Sequence, residues 1–325
     1  MNQLKRRLLA VLACLMAITL FIPQTSAQAA IKGSIFTYGE SLNQGQFQET
    51  QKLLGVDANA RAVQVNINEL NGLLHDNYPY YQVYSSAYIA PAKHSGVNVE
   101  IVTPKTITAI TPLQYENAAL TAGATNVDIK VASAVQVDGS GALAGVYKAF
   151  QDSGQALDGK AVSVAQEELQ TASTITKENQ NKENYSDETL NAAIADMKNQ
   201  IQQAKEQNGG SIDGNTIQVI VNNVINNYNL NGVLSEENIQ QLRDLMTKFS
   251  QIELTEEQKN ALSNFGQTLK EKSGQLVDSA KSAWDNMDET DKNGITDFFH
   301  SLWQSLLGIW DSIFGTNYAQ NNQGQ

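Results

Sequence analysis

From Ile31 to about Ala172, short runs rich in β-branched and aromatic residues alternate with runs of helical period. Strands are predicted at Ser34 to Tyr38, Ala62 to Ile67, Gln82 to Ala90, Val97 to Thr103, Thr106 to Ile110 and Val127 to Val137. Helices are predicted at Gln44 to Leu54, Glu69 to Leu74, Pro112 to Ala122, Ala142 to Gln151 and Gly159 to Thr171. Pro112 suits a first helical turn, where a backbone N–H has no intrahelical partner to lose, and Thr111 stands where it can cap that turn. Strands and helices interleaved within one stretch of domain size predict a single sheet with helices packed on it.

Ser173 to Thr189 is polar and charged and lacks apolar periodicity, so residues 176–189 are predicted to be a linker closing a mixed domain of residues 30–175. Beyond it the period is helical throughout. Leu190, Ile194, Met197 and Ile201 recur three or four apart, as do Ile217, Ile220, Val221, Val224 and Tyr228, so each set gives one helix a single apolar face. Leu234-Ser-Glu-Glu and Leu254-Thr-Glu-Glu open two further helices, with Ser235 as N-cap of one and Thr255 with Gln258 as the capping box of the other. The expected class is α+β: a mixed α/β N-terminal domain followed by an α-helical region over residues 190–317, with residues 318–325 as a disordered polar tail.

The most apolar face of the helical region lies between Ile295 and Phe314. Phe299, Leu302, Trp303, Leu306, Trp310 and Ile313 fall on one side of a helix, with His300, Gln304 and Asp311 away from it. Such a face is buried against the preceding helices, against a partner or a second copy of the chain, or in a membrane surface. The last of these is weakened by a polar side without Lys or Arg.

The first thirty residues follow a different logic. Lys5, Arg6 and Arg7 precede an uncharged apolar run from Leu8 to Ile22, and the segment ends in the small-residue pattern Ser26-Ala-Gln-Ala29. This is the pattern of an export signal cut after Ala29 or Ala30. A lipidated Cys14 is a rival reading, but Leu12 fits the required box poorly and apolar sequence continues past the cysteine. No other segment is long and apolar enough to span a bilayer. The chain is therefore expected to be secreted or extracellular, or held at the cell envelope.

Composition sharpens this. The chain has 22 basic and 34 acidic residues; losing the three bases of the signal leaves 19 against 34, a net of −15. That charge repels phosphate backbones, so nucleic acid is not an expected partner. The one cysteine, Cys14, leaves with the signal, which excludes thiol catalysis and Cys-based zinc sites in the mature chain. The region from residue 176 onward carries two thirds of the charge, as a solvated helix face does.

Chemistry has few places to sit. Gly139, Ser140 and Gly141 lie at a turn from strand to helix, where free amides can hold a small anion. Gly139, Gly141 and Ala144 also satisfy a literal G-x-G-x-x-A, but an exported chain lies outside the nucleotide pool, and no cofactor is expected. Three histidines, His75, His94 and His300, accompany no G-x-S-x-G elbow and no H-E-x-x-H pair. The acidic run Asp285 to Gly294 fails as a calcium loop, because His300 stands where a bidentate Glu is required, so no metal site is expected.

Several pieces together resemble a known family of exported Firmicutes proteins, domain of unknown function 1002. They are Gly39-Glu-Ser-Leu with the helix through Leu54-Gly55; Ser85-Ser-Ala; Gly96-Val-Asn-Val-Glu100; Ile110-Thr with Tyr115-Glu-Asn-Ala-Ala-Leu-Thr-Ala-Gly123; and Val131-Ala-Ser-Ala followed by Gly139 through Ala149. The resemblance is strong from Tyr38 to Ile175 and looser beyond Asp187. It implies an exported protein of one common architecture in a Gram-positive cell, and it implies no activity and no site residues. The expectation is a non-enzymatic protein binding a cell-envelope or extracellular ligand. The alternative is an envelope-polymer hydrolase with a site near His94 and the Gly139–Gly141 turn.

Overall fold

A computed structural model describes residues 31–74, 80–155 and 157–285. The expected export signal with Cys14, His75, His300, the acidic run beyond Asp285, the expected aromatic face from Phe299 to Ile313 and the expected polar tail lie outside the described residues.

Five strands form one mixed sheet: β1 (Ile35–Gly39), β2 (Arg61–Val65), β3 (Ser86–Pro91), β4 (Val97–Ile101) and β5 (Val127–Ala132). Their order is β2-β1-β3-β5-β4. The central β3 runs antiparallel to both neighbours, while the outer pairs β1/β2 and β4/β5 are parallel. Because side chains alternate along a strand, each strand serves two faces. One face puts Phe36, Tyr38 and Tyr88 beneath helix α1 (Gln44–Leu54), which supplies Phe47 and Leu54. The other buries Ile35, Ala87, Ile89, Val99, Ile129 and Val131 beneath α2 (Ile67–Leu74), α3 (Pro112–Ala122) and α4 (Ser140–Asp152).

Both outer strands have their free edges blunted by side chains. At β4 the Val99 N–H donates to Glu116 Oε1 at 2.9 Å, and at β2 the Gln64 carbonyl accepts from Lys148 Nζ at 2.6 Å. Each contact occupies a backbone group that would otherwise template an intruding strand.

The predicted strand Thr106 to Ile110 is reduced to one bridge, Ile107 to Val137. Side chains take over the ladder there: Thr103 Oγ1 accepts the Ser133 N–H at 2.9 Å, and Thr106 Oγ1 donates to the Ser133 carbonyl at 2.7 Å. The predicted strand at Gln82 likewise begins only at Ser86. Before it, Val83 is hooked to Ser41 in both directions, N–H to Oγ at 3.0 Å and carbonyl from N–H at 3.2 Å.

Helix α5 (Gly159–Asn179) crosses the expected boundary at residue 175 and takes in the first four residues of the expected linker, leaving a shorter non-helical connection at residues 180–186. Its Val162, Ala165 and Leu169 belong to the core under the sheet, and its Ala161, Val164, Ala172 and Ile175 to a second, all-helical core. That second core is completed by α6 (Asp187–Gln207), α7 (Gly214–Asn227), α8 (Glu236–Phe249) and the start of α9 (Glu256–Asp285). The helical extension is explained by Ala172, Ile175 and Asn179, spaced three and four apart and all buried; Asn179 Nδ2 reaches Asn238 Oδ1 at 3.0 Å. Capping boxes open α1, α3 and α8, at Asn43/Gln46, Thr111/Gln114 and Ser235/Asn238. Thr255 and Gln258 exchange the same pair of bonds at the start of α9.

Candidate functional site

The end of the sheet where β1, β2 and β5 finish carries the Gly139–Gly141 turn. Gly139 has a φ of 110°, a left-handed conformation that favours glycine, and a Cβ there would stand 2.7 Å from Tyr115 Oη and 2.8 Å from Ile107 Cγ2. The Tyr115 hydroxyl donates to the Gly139 carbonyl, and burial together with the charge of Asp138 holds its ionisation well above the ordinary tyrosine range. Ser140 opens α4; its N–H donates to Asp138 Oδ1 at 2.9 Å, and its hydroxyl lies 3.0 Å from the same oxygen and 2.8 Å from Tyr80 Oη. Gly141 lets this turn sit against Ser85, Val83 and Leu70. The first amide of α4, the place where an anion would dock, thus already faces a carboxylate of the chain. The neighbouring helix start is filled in the same way, the Ile67 N–H donating to Glu40 Oε1 at 2.8 Å.

His94 lies at the opposite end of β5. It sits in the turn between β3 and β4, half exposed, with Nε2 2.9 Å from Oδ1 of Asp128 and Nδ1 3.4 Å from the Ser95 carbonyl. Asp128 is the second residue of β5, whereas Gly139 comes after that strand has ended, so about 13 Å of strand alone separates the two places. A single site built from His94 and the Gly139–Gly141 turn is therefore not formed.

What surrounds His94 is instead a polar shelf. Helix α1 covers only part of its face of the sheet, and the rest shows two rows in register: Tyr88, Lys130 and Glu100 in one, Ala90, Asp128 and Asn98 in the other. Asp128 is 47% exposed, Lys130 45% and Glu100 24%. Asn98 Nδ2 donates to Asp128 Oδ1 at 3.3 Å, and Lys130 Nζ lies 3.7 Å from Glu100 Oε2. At the rim the Tyr88 hydroxyl donates to Asp57 Oδ2 at 2.5 Å. That bond, with the Asn59 amide, holds the Asp57 carboxyl below its ordinary range, while burial and Asp57 together raise Tyr88. Sequence reasoning singled out His94 but missed the shelf; the signal was the alternation of polar residues in Asn98, Glu100 and Asp128, Lys130 within two apolar strands.

Two further polar clusters lie between helices, the first wholly buried and the second partly so. Lys198 on α6 is wholly buried and donates to Glu168 Oε1 on α5 at 2.7 Å, to Thr121 Oγ1 on α3 at 3.0 Å and to the Asn117 carbonyl at 3.2 Å. The Thr121 hydroxyl in turn donates a hydrogen bond to Glu168 Oε2 at 2.5 Å. Burial lowers the lysine below its ordinary range against the pull of Glu168.

The second cluster joins the start of α3 to the start of α6. Asp187 accepts from Thr111 Oγ1 at 2.6 Å, Gln114 Nε2 at 2.8 Å and Thr176 Oγ1 at 2.9 Å. Burial nevertheless raises its carboxyl, and Glu188 beside it is raised by burial and by the charge of Asp187. A carboxyl raised on folding binds its proton more tightly in the folded chain, so this cluster stabilises the fold as pH falls from neutral toward the carboxylate range. Asp187→Asn keeps one acceptor for Gln114 and Thr176 and lets Thr111 accept instead of donate. The expected outcome is a urea midpoint that gains less, or falls more, than that of the unmodified chain as pH drops from neutral toward the carboxylate range; an identical pH dependence would show that Asp187 does not titrate in this way.

Among the described residues no three His, Cys, Asp or Glu side chains gather in a metal-holding group, and no helix is long and apolar enough to cross a membrane.

The family model described as "Protein of unknown function (DUF1002)" matches residues 38–265, more than two thirds of the chain. The chain belongs to the DUF1002 family. The match starts in β1 and ends within α9, so the DUF1002 domain takes in both cores, the helical one as much as the sheet. The chain is also similar to the "Uncharacterized protein YpuA" of Bacillus subtilis (strain 168), 29% identical over 303 residues that cover 90% of this chain and 94% of the relative. No solved structure matches it.

Proposed function

We propose that this DUF1002 protein is exported, loses its first 29 residues, and acts outside the cytoplasm as a non-enzymatic binding protein of a Gram-positive cell envelope or its surroundings. The observation that carries the binding reading is the shelf: Asn98, Glu100, Asp128, Lys130 and His94 bring hydrogen-bonding and charged groups together on a sheet face whose other side packs on the core. Sites built on strands hold their side chains more exactly than sites on loops. The export reading is supported by the charged, apolar and small-residue order of the first thirty residues and by Ile31. Ile31 is 1% exposed and packs in the sheet core, so core residues of the chain reach to within two residues of the expected cut. A cysteine-free mature chain large enough to bury its own core suits an oxidising exterior without disulfides.

The test uses residues 30–325, purified, mixed with washed Bacillus subtilis cell-wall sacculi and pelleted. The expected outcome is co-sedimentation that weakens about tenfold, equivalent to ~1.4 kcal/mol, in the combined variant Asp128→Asn, Lys130→Glu. Co-sedimentation indifferent to these changes would remove the shelf as the binding surface. Soluble wall fragments released over time, and no longer released by His94→Ala, would replace the binding reading with the hydrolase. N-terminal sequencing of the protein recovered from a culture medium or cell-wall fraction is expected to start at Ala30; an intact Met1 would refute export with cleavage.

A further inference from the structure

We draw no further inference here: the strongest candidate, the buried side-chain cluster of Lys198, Glu168 and Thr121 between α3, α5 and α6, has all three ammonium donors engaged within the chain and no opening to solvent, so it belongs to the packing already described.

Discussion

Lys198→Met is expected to cost the fold about 3–5 kcal/mol, the usual consequence of removing one partner from a buried ion pair. The reason is what stays behind. Glu168, only 2% exposed, would keep the Thr121 hydroxyl as a partner and lose its cation, and an unpaired buried carboxylate must either take up a proton or draw in water. The loss is felt in both cores, because Lys198 belongs to α6, Glu168 to α5 and Thr121 to α3. Pairing the change with Glu168→Leu removes the stranded charge and is expected to recover most of the loss, since well-packed apolar side chains replace a buried pair at little cost. Urea denaturation of the four proteins in this cycle measures the coupling. A single variant that loses less than about 1 kcal/mol, or two changes that simply add, would mean that the pair is not coupled as its geometry indicates.

Gly39→Ala is the second large effect, about 3 kcal/mol. Gly39 ends β1, and a Cβ there would lie 2.0 Å from the Val83 carbonyl oxygen, 2.5 Å from its carbon and 3.0 Å from the Tyr84 nitrogen. These are backbone atoms, so no side-chain rotation relieves the contact. The segment before β3 has to lift, which pulls Val83 out of the core and breaks its two bonds to Ser41. Gly72→Ala is the control. Nothing stands within 4 Å of its added methyl group, and it lies inside α2, where alanine favours the helix over glycine by about 0.5–1 kcal/mol. Thermal denaturation should therefore move in opposite directions for the two variants; a Gly39→Ala protein as stable as the parent would show that the close approach is absent in solution.

Local signals decide structure where a side chain answers a backbone group near it in sequence. Thr111 and Pro112 start α3, Ser235 starts α8, and the apolar repeat from Leu190 to Ile201 faces the second core, all as their spacing predicts. The departures from local expectation share a cause: contacts distant in sequence. The stretch after Ser173 looks polar, yet Thr176 and Asn179 are tied to Asp187 and Asn238, so polar residues serve as the buried face of a helix. Thr106 to Ile110 has strand-like composition, but β5 ends at Ala132 and leaves it one bridge, Ile107 to Val137. The one site expected from His94 and Gly139 to Gly141 is not formed because the two lie at opposite ends of β5, and which end each takes follows only from strand direction.

The amino-acid sequence by itself determined the α+β class, the helix starts capped by Thr111, Ser235 and Thr255, the acidity of the chain and its lack of cysteine beyond residue 14. These depend on side-chain chemistry, period and spacing, which act over a few residues. Only the tertiary structure decided the strand order, the sharing of α5 between two cores, the separation of His94 from the Gly139–Gly141 turn and the polar shelf that Asn98, Glu100, Asp128 and Lys130 form together. Sheet pairing is the physical reason: residues about thirty apart in the chain become neighbours across β4 and β5, and which face they share depends on a register that neither strand carries alone.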